Sequence, residues 1–368
     1  MSLTADQQAF LATHRSKAQA RLLAWFDCQA RDLPWRKDRT PYRIWVSEVM
    51  LQQTQVETVL DYYSRFLARF PTVEDLAAAT QEEVLKLWEG LGYYRRARLL
   101  HKAAKVVVDD HGGELPADVD ALRALPGIGR YTAGAVASLA FDIPAPAVDG
   151  NVRRVMARVL AMPAPTATEL DDAVSAWIPE ADSGDFAEGL MELGATLCRP
   201  QSPRCLLCPW RELCQARQLG RQEDFPAPKV RKPIPHYEVT AAVTLREDGR
   251  ILVARRPATS MLGGLWEFPG GKQEDGETLP EALQRELQEE MRIEVAVGEE
   301  LTVIEHAYTH FRITLHAFLC RLEAGEPTCV ECDDFQWATL DEIRALPMPV
   351  TDRQIAETVE AFLQQNPS

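Results

Sequence analysis

Cys198, Cys205, Cys208 and Cys214 fall within one short stretch with the spacing C-x6-C-x2-C-x5-C. In an intracellular chain a cluster this tight implies ligation rather than disulfide bonding. Four thiolates hold either Zn(II) or a [4Fe–4S] cluster. Zinc sites usually come as two close pairs, and here only Cys205–Cys208 is one. Cys28, Cys320, Cys329 and Cys332 are scattered. The last two form a CxxC with no second pair nearby, which reads as incidental spacing on a loop.

Around this loop the pattern is helical from about residue 6 to 216. Apolar residues at three-to-four spacing run through 42–70, and 92–111, 118–124, 131–141, 151–161 and 184–197 read similarly. QEDFPAPKVRKPIPH (222–236) is rich in proline and charge and reads as an extended linker. Beyond it the period changes: Glu238–Leu245, Arg250–Arg255 and Arg312–Leu322 read as strands, and 278–291 as a glutamate-rich helix. An all-α domain followed by an α/β domain is expected. No stretch approaches the roughly 20 apolar residues of a membrane span, and the start, MSLTADQQAF, lacks a secretory pattern. A soluble, intracellular protein is expected.

The net charge of −15 argues at first against a nucleic-acid partner. Residues 1–230, however, carry 27 Lys/Arg against 30 Asp/Glu, whereas 231–368 carry 13 against 25. The acid is concentrated in the C-terminal third. Basic clusters at Arg95, Arg96, Arg98 and at Arg153, Arg154, Arg158 leave the local positive charge that phosphate contacts need.

Leu125-Pro126-Gly127-Ile128-Gly129 between two helical patterns is a tight turn: Pro126 sets φ, and Gly127 and Gly129 admit positive φ. The helix that follows presents free amides suited to a DNA phosphate. Glu48, at an apparent helix start among Trp45, Val49 and Leu51, should resist ionisation because desolvation penalises its charged form. Asp149, just before a helix, suits an N-cap.

A hairpin followed by a four-cysteine loop resembles the endonuclease III-like DNA glycosylases, and S-E-V-M-L-Q-Q-T (47–54) resembles their adenine-specific branch. The resemblance covers almost the whole chain apart from the linker and about ten residues at each end. It implies an all-α helix-hairpin-helix DNA glycosylase module over 1–221, with the hairpin at 118–141 and a [4Fe–4S] loop at 198–214. The linker 222–236 and an α/β Nudix-like domain at 237–368 follow. Glu48 would protonate the leaving adenine, and Asp149 would support the sugar cation, as in glycosidases. Asn151 and Tyr131 would stand beside them. Relatives that also cut the strand carry a lysine where Tyr131 stands, and a phenol forms no Schiff base; base removal without a lyase step follows. Trp35, Arg36, Leu51 and Glu188 would line the adenine pocket, and Gln53 and Tyr93 would fill the vacated stack. Gly127 and Gly129 would touch the DNA backbone, as would arginines of the cysteine loop.

Gly271 to Ile293 resembles the Nudix box, with Arg292 in place of its late glycine. Glu286, Glu289 and Glu290 would share a helix face able to hold Mg²⁺, and Arg292 would shift that face. By resemblance the domain reads 8-oxoguanine opposite the adenine through Thr309 and His310. The expected partner is double-stranded DNA with A:8-oxoguanine or A:G mispairs, bound by a monomer without membrane association. The expected location is the cytoplasm, with the nucleoid in a bacterium. The alternatives are a glycosylase with an added active nucleotide hydrolase, an endonuclease III-like glycosylase/lyase, and a non-catalytic lesion binder.

Overall fold

The computed structural model describes residues 3–228 and 233–365; positions 229–232 of the linker lie outside these. The chain divides into two compact units, Met1–Ala78 with Lys102–Val230, and Ala79–His101 with Arg231–Ser368. Segment 79–101 thus groups with the C-terminal residues, although the sequence places it in the N-terminal module.

The first unit is helical. Helix α1 (Ala5–Gln29) is followed by α2 (Pro34–Lys37), α3 (Pro41–Leu51), α4 (Val56–Arg69) and α5 (Val73–Ala78). Helices α6 (Gln81–Trp88) and the first part of α7 (Arg95–His111) fall in the other unit. Then come α8 (Val119–Ala124), α9 (Arg130–Phe141), α10 (Gly150–Val159), α11 (Ala167–Ser175), α12 (Ser183–Thr196) and α13 (Gln215–Gln218). The apolar run 42–70 is broken at Gln52–Gln55, where Gln53 takes φ +59°. Trp177 and Trp210 meet edge to face at 4.8 Å, and their indole N–H groups donate to Leu11 O and Ala18 O of α1, both at 2.9 Å. The N-terminal helix is thereby fastened to the core with no tryptophan N–H left unpaired at this point.

The second unit contains two sheets. In one, β1 (His236–Thr244) pairs parallel with β5 (Arg312–Ala324), which pairs antiparallel with β4 (Glu294–Ala307). In the other, β2 (Ile251–Arg255) lies between β3 (Trp266–Glu267) and β6 (Asp334–Ala338), antiparallel to both. Helix α14 (Leu279–Met291) buries Leu283, Leu287 and Met291 with Val295 and Phe318. The other apolar cluster unites Val243, Val253 and Leu315 with Ile355 and Val359 of α16 (Val350–Gln365), beyond α15 (Leu340–Ala345). An all-α unit joined to a mixed α/β unit is the class expected. None of the described helices is long and apolar enough to cross a membrane.

Candidate active site

Helix α3 is buried on nearly every side, from Tyr42 through Met50. Glu48 sits in its last turn, not at its start as expected, and is 3% exposed. Packing of α3 on α9 brings it to Tyr131, whose hydroxyl donates to Glu48 Oε2 at 2.5 Å. Burial pushes the Glu48 carboxyl up to about 7; the Tyr131 hydrogen bond pulls it down, and the charges of Glu188 and Asp149 add to the rise. A carboxyl so placed keeps a transferable proton near neutrality.

Asp149 caps α10: Oδ1 accepts the Val152 N–H at 2.7 Å and Oδ2 accepts Asn151 Nδ2 at 2.9 Å. Such a cap contributes about 1 kcal/mol. Burial raises the Asp149 carboxyl, while these hydrogen bonds and Arg154 act the other way. Helix α12 can approach because residue 194 is glycine; a Cβ there would stand 2.5 Å from Asn151 Cβ. Arg154 then links the cap to the cysteine loop, donating to Asn151 Oδ1 at 2.8 Å and to Cys198 O at 2.7 Å.

Trp35, Arg36, Glu48, Leu51, Gln53, Tyr131, Asp149, Asn151 and Glu188 all line one cavity of about 710 Å³. The same walls hold Arg31 and Glu192, which the sequence reading missed. Arg31 grips Glu192 with two hydrogen bonds, 2.8 and 3.0 Å, and Arg36 reaches Glu192 at 2.9 Å and Glu188 at 3.4 Å. Burial would raise Glu192, yet the bonds from Arg31 and Arg36 hold it below the usual range. Glu192 follows Glu188 by one helical turn, so the i,i+4 rule was the available signal. Tyr93, Thr309 and His310 belong to the second unit.

The hairpin corrects one expectation. Gly127 does take φ +77°, but Gly129 is extended at φ −89° and ψ −179° and caps α9. Nothing stands within 4 Å of a Cβ at Gly129, so its backbone is open to a partner. The second basic cluster also behaves differently from expectation. Arg158, 2% exposed, donates to Phe225 O, Arg199 O and Pro200 O, and Arg154 is engaged as above. These side chains hold the cysteine loop in place. Arg199, Arg204 and Arg211 remain exposed on that loop.

The four loop cysteines carry no disulfide. Arg158 donates to Cys198 Sγ at 3.4 Å, and Cys214 Sγ donates to Arg158 O at 3.4 Å. Burial, with the neighbouring Cys198, Cys214 and Cys205, pushes Cys208 up to about 12. Four free, part-buried thiols in one loop, with the Arg158 guanidinium against Cys198 Sγ, form a donor set that suits a soft, thiolate-binding group. Among the described residues no three His, Cys, Asp or Glu side chains are set to hold one metal ion. A [4Fe–4S] cluster asks for a different arrangement, one thiolate on each iron.

In the second unit Thr309 and His310 are exposed in the turn closed by Tyr308 N–H to Phe311 O, 2.8 Å, and Thr309 Oγ1 lies 2.5 Å from Tyr93 Oη. Glu286, Glu289 and Glu290 all stand on α14. Arg285 donates to Glu286 and to Glu289, each at 3.1 Å, while burial, with Glu267 and Glu286, pushes Glu290 up to about 8. Arg292 does not shift the helix: at φ +56° it adopts the left-handed conformation of the glycine it replaces, at about 1 kcal/mol, and its N–H still closes on Gln288 O. The CxxC reading is also corrected, since Cys329 and Cys332 are joined by a disulfide. Spacing alone could not show that the loop turns one thiol onto the other.

Residues 46–180 match the HhH-GPD superfamily of base excision DNA repair proteins, and 240–358 match the NUDIX domain. The chain is 37% identical to the adenine DNA glycosylase of Rattus norvegicus, over 92% of this chain and 77% of that one. It belongs to the adenine DNA glycosylases. The human adenine DNA glycosylase is likewise 37% identical, over 91% of this chain and 72% of that protein. Among solved structures, a thermostable thymine-DNA glycosylase aligns over 56% of this chain and 98% of its own, with TM-score 0.53 and 31% identity. Membership in the adenine DNA glycosylases, with an HhH-GPD module ahead of a NUDIX domain, places this chain among base excision repair glycosylases.

Proposed function

We propose that this protein hydrolyses the N-glycosidic bond of adenine mispaired with 8-oxoguanine or guanine in duplex DNA, with no lyase step. Glu48 carries the reading: a buried acid with its pKa near 7, facing the same cavity as Asp149. An adenine enclosed there must first leave the stack, since its N7 and glycosidic bond are inaccessible in a duplex. Glu48 then protonates the leaving purine, and Tyr131 fixes the direction of its carboxyl group. Asp149, held by Asn151 and the Val152 N–H, stabilises positive charge at the sugar carbon. Trp35, Arg36, Leu51 and Glu188 would bound the base, and Gln53 lines the same cavity. Tyr131 offers no amine for a Schiff base, so the strand stays intact. A duplex assay with adenine opposite 8-oxoguanine, guanine and thymine, with and without alkali, tests this. Breaks that appear without alkali would overturn it.

Cys198, Cys205, Cys208 and Cys214 would hold a [4Fe–4S] cluster, which supplies no step of the hydrolysis and orders the loop. About four irons per chain are expected. Stoichiometric zinc in anaerobically prepared protein would refute the cluster. Gly127, Gly129 and the arginines of the cysteine loop would follow the DNA backbone. Thr309 and His310 would read 8-oxoguanine, and Tyr93 would fill the vacated stack. The enzyme would act as a cytoplasmic monomer on the chromosome.

A further inference from the structure

The loop between β5 and β6 has no part in this chemistry, yet it is closely built. It contains the Cys329–Cys332 disulfide. The last carbonyls of a helix have no donors within the helix, and at the end of α14 this loop provides them. Thr328 N–H donates to Met291 O at 3.0 Å, and Val330 and Glu331 N–H donate to Glu290 O at 3.0 and 3.4 Å. The disulfide ring encloses Val330 and Glu331, the two residues whose amides meet on Glu290 O. Beyond the ring the loop is anchored again: Asp333 N–H donates to Arg255 O at 2.9 Å, and Asp333 Oδ2 accepts the Ala258 N–H at 3.0 Å. Cys332 packs against the apolar cluster of α14, and both cysteines stay partly exposed.

We propose that Cys329 and Cys332 are a reversible dithiol–disulfide couple whose closed form locks the C-terminal cap of α14. The co-reactant is a low-molecular-weight disulfide such as oxidised glutathione. One cysteine thiolate attacks it, forming a mixed disulfide and releasing one glutathione thiol. The second cysteine thiolate attacks the mixed disulfide, closes the ring and releases the other. The protein dithiol loses two electrons and two protons, and the glutathione disulfide gains both. Opening the ring frees the backbone of Val330 and Glu331, so their hydrogen bonds to Glu290 O open more often. The rigidity at the end of the acidic helix thereby follows the thiol–disulfide poise of the surroundings.

The test uses the full-length protein under anaerobic conditions, in glutathione buffers of graded ratio. Thiols are trapped by alkylation, and the peptide carrying Cys329 and Cys332 is quantified by mass spectrometry. A single two-electron couple should pass from mostly dithiol to mostly disulfide over about a hundredfold change in [GSH]²/[GSSG], in both directions. Amide exchange at Thr328, Val330 and Glu331 should be about tenfold slower in the oxidised protein. Cys329→Ser/Cys332→Ser should exchange like the reduced form in every buffer. Thiols that stay reduced throughout, glutathione adducts that never close to a ring, or equal exchange in both states would overturn the proposal. The redox titration is done on the unaltered chain and survives a poorly folding variant.

Discussion

Each unit buries a carboxylic acid whose pKa is pushed to about 7, Glu48 in the first and Glu267 in the second, and the two differ in their partners. Glu48 accepts from a neutral phenol, Tyr131, and faces a cavity shared with Asp149. Glu267 is ion-paired with the Arg256 guanidinium. A permanent cation stabilises the carboxylate and consumes it as a structural link, whereas a phenol leaves a proton available for transfer. A raised pKa therefore marks burial; the neighbouring group decides whether the acid can be used.

Glu48 is where substitution should have the largest effect. Glu48→Gln keeps the shape and removes the proton, and single-turnover adenine release should fall on the order of a thousandfold with duplex binding preserved. Near-normal release would mean that Glu48, like Glu267, is a structural group only. Deleting 237–368 tests the other unit. Slow adenine removal should survive, while the preference for 8-oxoguanine over guanine falls by roughly ten- to a hundredfold. That cut also removes Trp266 and Arg353, partners of Glu82 and Glu89 in segment 79–101, so a lower melting temperature should accompany it. Retained preference would separate lesion reading from Thr309.

The pH profile sharpens the contrast. With Glu48 near 7, its acid form is present below that pH and lost above it, so release should decline about tenfold per unit at higher pH. A flat profile to pH 9 would exclude Glu48 as the acid. Arg154→Gln cuts the link from Asn151 to Cys198 O, and release should slow about tenfold while iron content stays unchanged. An unaltered rate would make Arg154 a loop fastener alone. Thr309→Ala should have the smallest effect, about 1 kcal/mol on 8-oxoguanine binding.

Much of this was legible in the chain. The hairpin turn, the Asp149 cap and the helical periods are local, set by residues within a turn or two of each other. The adenine-branch string around Glu48 and the four-cysteine spacing are local as well. What escaped the sequence depends on residues distant along the chain. Glu192 matters through Arg31, 161 positions away, and Arg154 and Arg158 proved to be braces for the cysteine loop. Arg292 shows that a backbone conformation can outlast the glycine expected to supply it.

Residue types and their local spacing carry the order of modules, the chemistry available at Glu48, Asp149 and Tyr131, and the four thiols. The fold sets how far the Glu48 carboxyl resists ionisation, because desolvation depends on α3 being enclosed on nearly every side. It alone closed Cys329 onto Cys332 and set Arg285 between Glu286 and Glu289. Charge and reactivity are written in residue types, but their strength depends on what the fold places within a few ångströms.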